Sequence, residues 1–92
     1  MIICIQGLGY VGSVMSVAVG LAKNNFKEKN FKIVGVEKPT KRGKQIIDDI
    51  NQGIFPFRSN DFELKKSLKK INKGGYLEAT SSTSVYKKAN VI

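Results

Sequence analysis

The sequence has no histidine, no tryptophan, one cysteine and two prolines in its 92 residues. Without histidine there is no imidazole acid–base chemistry, and the commonest metal ligand is missing. The lone Cys4 excludes an internal disulfide and a multi-cysteine zinc site. It lies in the apolar run Ile2-Ile3-Cys4-Ile5, where it reads as a small buried hydrophobe rather than a nucleophile. Acidic residues are scarce, 7 against 16 Lys+Arg, which gives a net charge of +9. Such an excess suits phosphates, nucleic acid or an anionic membrane surface, and its distribution decides between them. Residues 1 to 22 carry no charged side chain, while five lysines fall between Lys65 and Lys73. Aromatic residues are not interleaved with those lysines for base stacking, so they read as a solvated surface, with no nucleic-acid partner.

The uncharged start approaches the roughly 20 apolar residues of a membrane span. It lacks a basic leader region, and Gln6, Ser13, Ser16 and the glycines at 7, 9, 12 and 20 interrupt it. The expectation is a soluble, cytoplasmic protein with no membrane partner. Hydrophobic residues at 41% and charged residues at 25% are ordinary globular composition. The length is below the roughly 100–150 residues of a typical domain, so at most one small domain is present.

Ile2 to Gln6 is short, β-branched and apolar without alternation, as expected of a central parallel strand buried on both faces. From about Tyr10 to Asn24, Val11, Val14, Val17, Ala18 and Leu21 fall at helical spacing, with Asn24-Asn25 as the stop, and Gly12, Ser13, Ser16 and Gly20 let this helix approach its neighbours closely. Phe31 to Val36 is a second strand, which completes a βαβ unit whose crossover should be right-handed. Pro39-Thr40 then opens a helix with Ile46, Ile47 and Ile50 on one face and a left-handed Gly53 after its end. Ile54-Phe55-Pro56-Phe57 is an apolar loop. Asn60-Asp61-Phe62-Glu63 carries the N-cap and following Glu of a capping box, and Leu64, Leu68 and Ile71 line the next helix up to Gly74-Gly75. A third strand at Tyr76 to Thr80, a short helix near Ser84 to Lys88 and the start of a fourth strand at Asn90-Val91-Ile92 complete the pattern. The fold class is α/β: a Rossmann-type doubly wound parallel sheet, incomplete, with three strands and the start of a fourth. A strand of this kind needs neighbours on both sides, so residues 1–92 are expected to be the N-terminal part of a larger domain.

Gly7-Leu8-Gly9-Tyr10-Val11-Gly12 is a complete G-x-G-x-x-G between a strand and a helix. Gly7 permits the tight turn, Gly9 lets backbone touch a pyrophosphate, and Gly12 lets helix and strand pack closely. Free amides and the positive end of the helix dipole then hold the anion. Glu37, closing Val34-Gly35-Val36-Glu37, is placed to accept both hydroxyls of an adenosine ribose and to repel a 2′-phosphate, which favours NAD. Lys38, Lys41 and Arg42 are the cations a 2′-phosphate would meet, so NADP stays the competing cofactor.

The opening I-C-I-Q-G-L-G-Y-V-G resembles the N-terminus of the UDP-glucose, UDP-N-acetylhexosamine and GDP-mannose dehydrogenases, the nucleotide-sugar 6-dehydrogenases. Tyr10-Val11 is the discriminating part. The similarity continues through V-G-V-E, where the family usually has Asp, then through Pro39-Thr40, Arg42-Gly43, Asn51, Gly53 and Phe55-Pro56-Phe57, and through Leu77-Glu78-Ala79-Thr80 and Ala89-Asn90-Val91-Ile92. The resemblance implies an enzyme that oxidises the C6 alcohol of a UDP- or GDP-sugar to the uronic acid with two NAD, through a cysteine thiohemiacetal and thioester. It implies that Gly7, Gly9, Tyr10, Val11, Gly12, Glu37 and Arg42 bind NAD, and that the full-length enzyme takes a nucleotide-sugar substrate and is a homo-oligomer. The family's catalytic cysteine, lysine and asparagine belong to later segments, so no catalytic residue is assigned here. Two other readings share the glycine loop. One is a Rossmann dehydrogenase of the 3-hydroxyacyl-CoA or 6-phosphogluconate type, and the other is a non-catalytic NAD-sensing regulatory domain.

Overall fold

The computed structural model describes residues 1–25 and 31–90. The chain runs β1 (Ile2–Gln6), α1 (Tyr10–Asn25), β2 (Lys32–Val36), α2 (Lys41–Asn51), α3 (Phe62–Lys73), β3 (Leu77–Thr80) and a 3₁₀ helix (Thr83–Lys88). Among the described residues the three strands form one parallel sheet in the order β1-β2-β3, with Ile2 opposite Lys32 and Ile33 opposite Leu77. This is the expected α/β architecture, a partial Rossmann-type fold. The expected fourth strand lies outside the described residues from Val91 onward. Asn90 itself donates its N–H to Ile2 O at 2.8 Å and accepts the Ile2 N–H on its side chain at 2.7 Å. Lys32 N–H goes to Met1 O, so Ile2 directs its backbone groups away from β2. Asn90 therefore sits on the edge of β1 that a further parallel strand would occupy.

Alternation along each strand sends side chains to opposite faces of the sheet. One face buries Leu8, Ile33, Leu77 and Ala79 against Val17 of α1, Ile46 and Ile50 of α2, and Leu68 and Ile71 of α3. The other holds Cys4, Val34 and Val36 under Val85 and Tyr86 of the 3₁₀ helix. Both α2 and α3 end in paired backbone bonds around a left-handed glycine: Gly53 N–H to Ile50 O with Ile54 N–H to Asp49 O, and Gly75 N–H to Asn72 O with Tyr76 N–H to Ile71 O.

Two local expectations change. Asp61 is the N-cap of α3, accepting Leu64 N–H at 3.0 Å, which puts Glu63 one residue short of the capping-box position. The Asp61 amide that such a Glu would bind goes instead to Ser59 Oγ at 3.1 Å. The inward side of α1 is also narrower than its valines suggested. Ser13, Ser16, Val17 and Gly20 are buried, whereas Val11 and Ala18 are exposed. Small residues win because α1 lies close to its neighbours: a Cβ on Gly20 would come 2.8 Å from Ile71 Cδ1.

Candidate functional site

The glycine loop crosses the C-terminal ends of β1 and β2, where open parallel sheets present their ligand crevices. Gly7 continues the ladder by donating its amide to Val36 O at 2.9 Å, and its φ of +84 then turns the chain off the strand. Gly12 packs against that turn so closely that a Cβ would overlap the Gly7 carbonyl oxygen. Nothing lies within 4 Å of a Cβ built on Gly9, so the backbone there is open to approach. Ser13 donates its N–H to Gly9 O at 2.9 Å. The amides of the preceding turn are those an α-helix leaves without an intrahelical acceptor.

Leu8 anchors the loop. Its side chain is fully buried on β2, where a Cβ on Gly35 would overlap it. Its carbonyl accepts the Ser13 hydroxyl at 3.0 Å, and its amide donates to Glu37 Oε1 at 2.8 Å. Glu37 Oε2 accepts the Lys38 amide at 2.9 Å, and the Glu37 amide goes to Thr80 O at 3.0 Å. Glu37 thus links the ends of all three strands, its carboxylate toward the loop after β1 and its amide toward β3. The roles of Leu8 and Gly35, and the hydroxyl bond of Ser13, were missed in the sequence. Gly35, a glycine set between the β-branched Val34 and Val36, was the available signal.

Two clefts flank the loop. One, of about 380 Å³, is lined by Gln6, Gly7, Glu37, Lys38, Ser81 and Tyr86 among others. The second, of about 490 Å³, follows the edge of β1 away from β2, past Gln6, Gly7, Val11, Gly12 and Met15. The structure therefore brings Gly7, Gly9, Val11, Gly12 and Glu37 to one place. Tyr10 begins α1 beside them, but its ring turns to Phe55 at 5.7 Å and Phe57 at 5.8 Å.

Arg42 is placed differently. Its Nη2 donates to Pro56 O at 2.8 Å, its Nη1 to Gln45 Oε1 at 3.1 Å, and its guanidinium lies 5.2 Å from the Phe57 ring centre. It does not line the cleft that holds Glu37.

Cys4 is fully buried beneath the 3₁₀ helix, and desolvation raises its thiol above the ordinary value, in keeping with an inert core residue. Lys65, Lys66, Lys69, Lys70 and Lys73 are all exposed. Lys65, Lys66 and Lys69 nevertheless border a groove with Phe57 and Phe62, a spatial neighbourhood that the linear order concealed. Among the described residues no group of side chains could hold a metal ion, and no helix is long and apolar enough to cross a membrane.

No protein-family model matches the chain, and neither does any curated protein sequence. Two of the solved structures similar to it are dehydrogenases. The NDP-N-acetyl-D-galactosaminuronic acid dehydrogenase of Methanosarcina mazei Go1 matches 98% of the chain with a TM-score of 0.82 and 25% identity. A ternary complex of GDP-mannose dehydrogenase from Pseudomonas aeruginosa matches 89% with a TM-score of 0.67 and 29% identity. The chain spans 18% and 16% of the lengths of these two proteins. Both neighbours are nucleotide-sugar dehydrogenases, the group that the sequence resembles.

Proposed function

We propose, for a chain whose structural neighbours are nucleotide-sugar dehydrogenases, that residues 1–92 form the N-terminal part of the NAD-binding domain of such an enzyme. The observation that carries this reading is the Glu37 carboxylate, held against the glycine loop by the Leu8 amide at the C-terminal ends of the parallel strands. The residues fit the cofactor. An ionised carboxylate has about four lone-pair sites, and two backbone amides occupy two of them, leaving acceptors for the ribose hydroxyls. The open backbone at Gly9 and the first-turn amides of α1 suit the pyrophosphate. The cleft beside Glu37 would take the adenosine, and Val11 and Gly12 would lie under the continuation of the cofactor along β1.

When bound, NAD would supply the hydride acceptor for oxidation of the C6 alcohol. The part of this chain is to bind and orient the dinucleotide, and the groups that handle the substrate lie outside these 92 residues. A negative charge at Glu37 favours NAD over NADP. The whole protein works, on this reading, as a homo-oligomer in the reducing cytoplasm, where a free buried thiol such as Cys4 is ordinary. The test is NADH formation by the full-length protein with UDP-glucose, UDP-N-acetylglucosamine, UDP-N-acetylmannosamine and GDP-mannose. Reduction of NAD with at least one of these is expected, and no turnover with any nucleotide sugar would overturn the reading.

A further inference from the structure

We infer that the groove between the 54–57 loop and α3 binds single-stranded RNA, with the Phe62 ring as a platform for a stacked base and Lys65, Lys66 and Lys69 as the phosphate contacts. The groove, of about 480 Å³, is lined by Ile54, Phe57 and Phe62 beside those three lysines. In linear order no aromatic stands among the lysines, which argues against nucleic acid. Folding supplies what that order lacks. Phe62 precedes Lys65, Lys66 and Lys69 by three, four and seven positions, so the ring and the ammonium groups share one face of α3. The loop then brings Phe57 against the same face.

Phe62 is 82% exposed, the most open of the large apolar side chains among the described residues. A ring so placed buries little for the fold, and a nucleobase has the flat face that would cover it. The groove also lacks negative charge of its own. Asp61 is engaged as the N-cap of α3, Glu63 does not line the groove, and none of the three ammonium groups has an ion-pair partner among the described residues. A polyanion complements this surface, whereas a second copy of a chain of net charge +9 does not. A duplex fits less well than a single strand, because its bases are already stacked on one another. An acidic peptide would answer the lysines but not the open ring, since a peptide's apolar anchor needs a pocket that closes round it. RNA is the single strand supplied by the cytoplasm proposed above, and only this choice of RNA over DNA rests on that reading. The groove shares no lining residue with either cleft beside the glycine loop, so strand and dinucleotide occupy separate places.

The test is fluorescence anisotropy of the full-length protein with a labelled single-stranded RNA of mixed sequence, about ten nucleotides long, within the site sizes such grooves cover. Saturable binding is expected. Phe62→Ala and Phe62→Leu should each weaken it about tenfold while Phe62→Trp keeps it, since stacking needs a ring rather than apolar area. Lys65→Ala/Lys66→Ala/Lys69→Ala should lower the slope of log Kd against log salt by about 2, at about 0.7 for each phosphate contact of a single strand. Lys87→Ala/Lys88→Ala, which removes charge from the opposite face of the sheet, should change affinity far less. Saturating NAD should leave RNA binding unchanged. Melting curves check that the variants, all at exposed positions, stay folded. No saturable binding, equal binding of the corresponding duplex, wild-type affinity in Phe62→Leu, an unchanged salt slope or displacement by NAD would each overturn the inference. So would tighter binding to single-stranded DNA of the same sequence, to polyglutamate or to phosphatidylserine vesicles. No arm uses the dehydrogenase assay, so this inference and the proposed function can fail separately.

Discussion

The Glu37 carboxylate accepts the Leu8 amide at 2.8 Å across 29 positions of sequence, tying the end of β2 to the turn that follows β1. One side chain thereby shapes the loop and offers charge to a ligand. Charge-assisted bonds of this kind contribute about 1.5–3 kcal/mol each. Glu37→Ala should weaken NAD binding by about tenfold or more and also lower the melting temperature, whereas a residue serving the ligand alone would leave melting unchanged. Calorimetric titration together with a thermal melt separates the two.

The glycines of the loop should divide between folding and binding. Gly12→Ala forces a methyl onto the Gly7 carbonyl oxygen and should cost about 1–3 kcal/mol of stability or more. Gly9→Ala meets open space, so its stability should stay within about 0.5 kcal/mol of wild type while NAD affinity falls. Denaturant melts of the two variants, read beside their NAD affinities, check the contrast.

Asn51 closes the outer edge of the sheet. Its Nδ2 donates to Ala79 O at 2.9 Å and its Oδ1 accepts the Ala79 amide at 2.8 Å, so one side chain takes the place of a neighbouring strand. Bare edges recruit other strands. Asn51→Ala should lose about 1–3 kcal/mol and raise the aggregated fraction seen by light scattering on mild heating.

Burial raises the Cys4 thiol, so the folded chain favours its neutral form. The corresponding stability is complete below the unfolded thiol value of about 8.5 and is lost as pH rises through the folded one. Native protein should resist alkylation at neutral pH. Its stability should fall more steeply above about pH 8.5 than that of Cys4→Val, as measured by paired urea melts.

The strands, the glycine loop and the helix ends were legible because each rests on local chemistry: β-branched runs, a G-x-G-x-x-G, and Gly53 and Gly75 where left-handed backbone was required. Glu37 was legible by its place after β2, but its bond to Leu8 was not, since it joins segments distant in sequence. Arg42 shows the same limit. The family resemblance implied a cofactor contact for it, and its hydrogen bond to Pro56 was not legible because it depends on how the 54–57 loop folds back. The close approach of α1 was legible in Gly12, Ser13, Ser16 and Gly20, while the exposure of Val11 and Ala18 was not, because periodicity alone counts apolar residues without the width of the contact.

The central claim is that the glycine loop and Glu37 form an NAD site, and paired calorimetric titrations with NAD and NADP test it most directly. The account predicts saturable one-to-one binding of NAD, with NADP weaker because its 2′-phosphate would meet the Glu37 carboxylate. Absence of saturable NAD binding, or tighter binding of NADP, would contradict it.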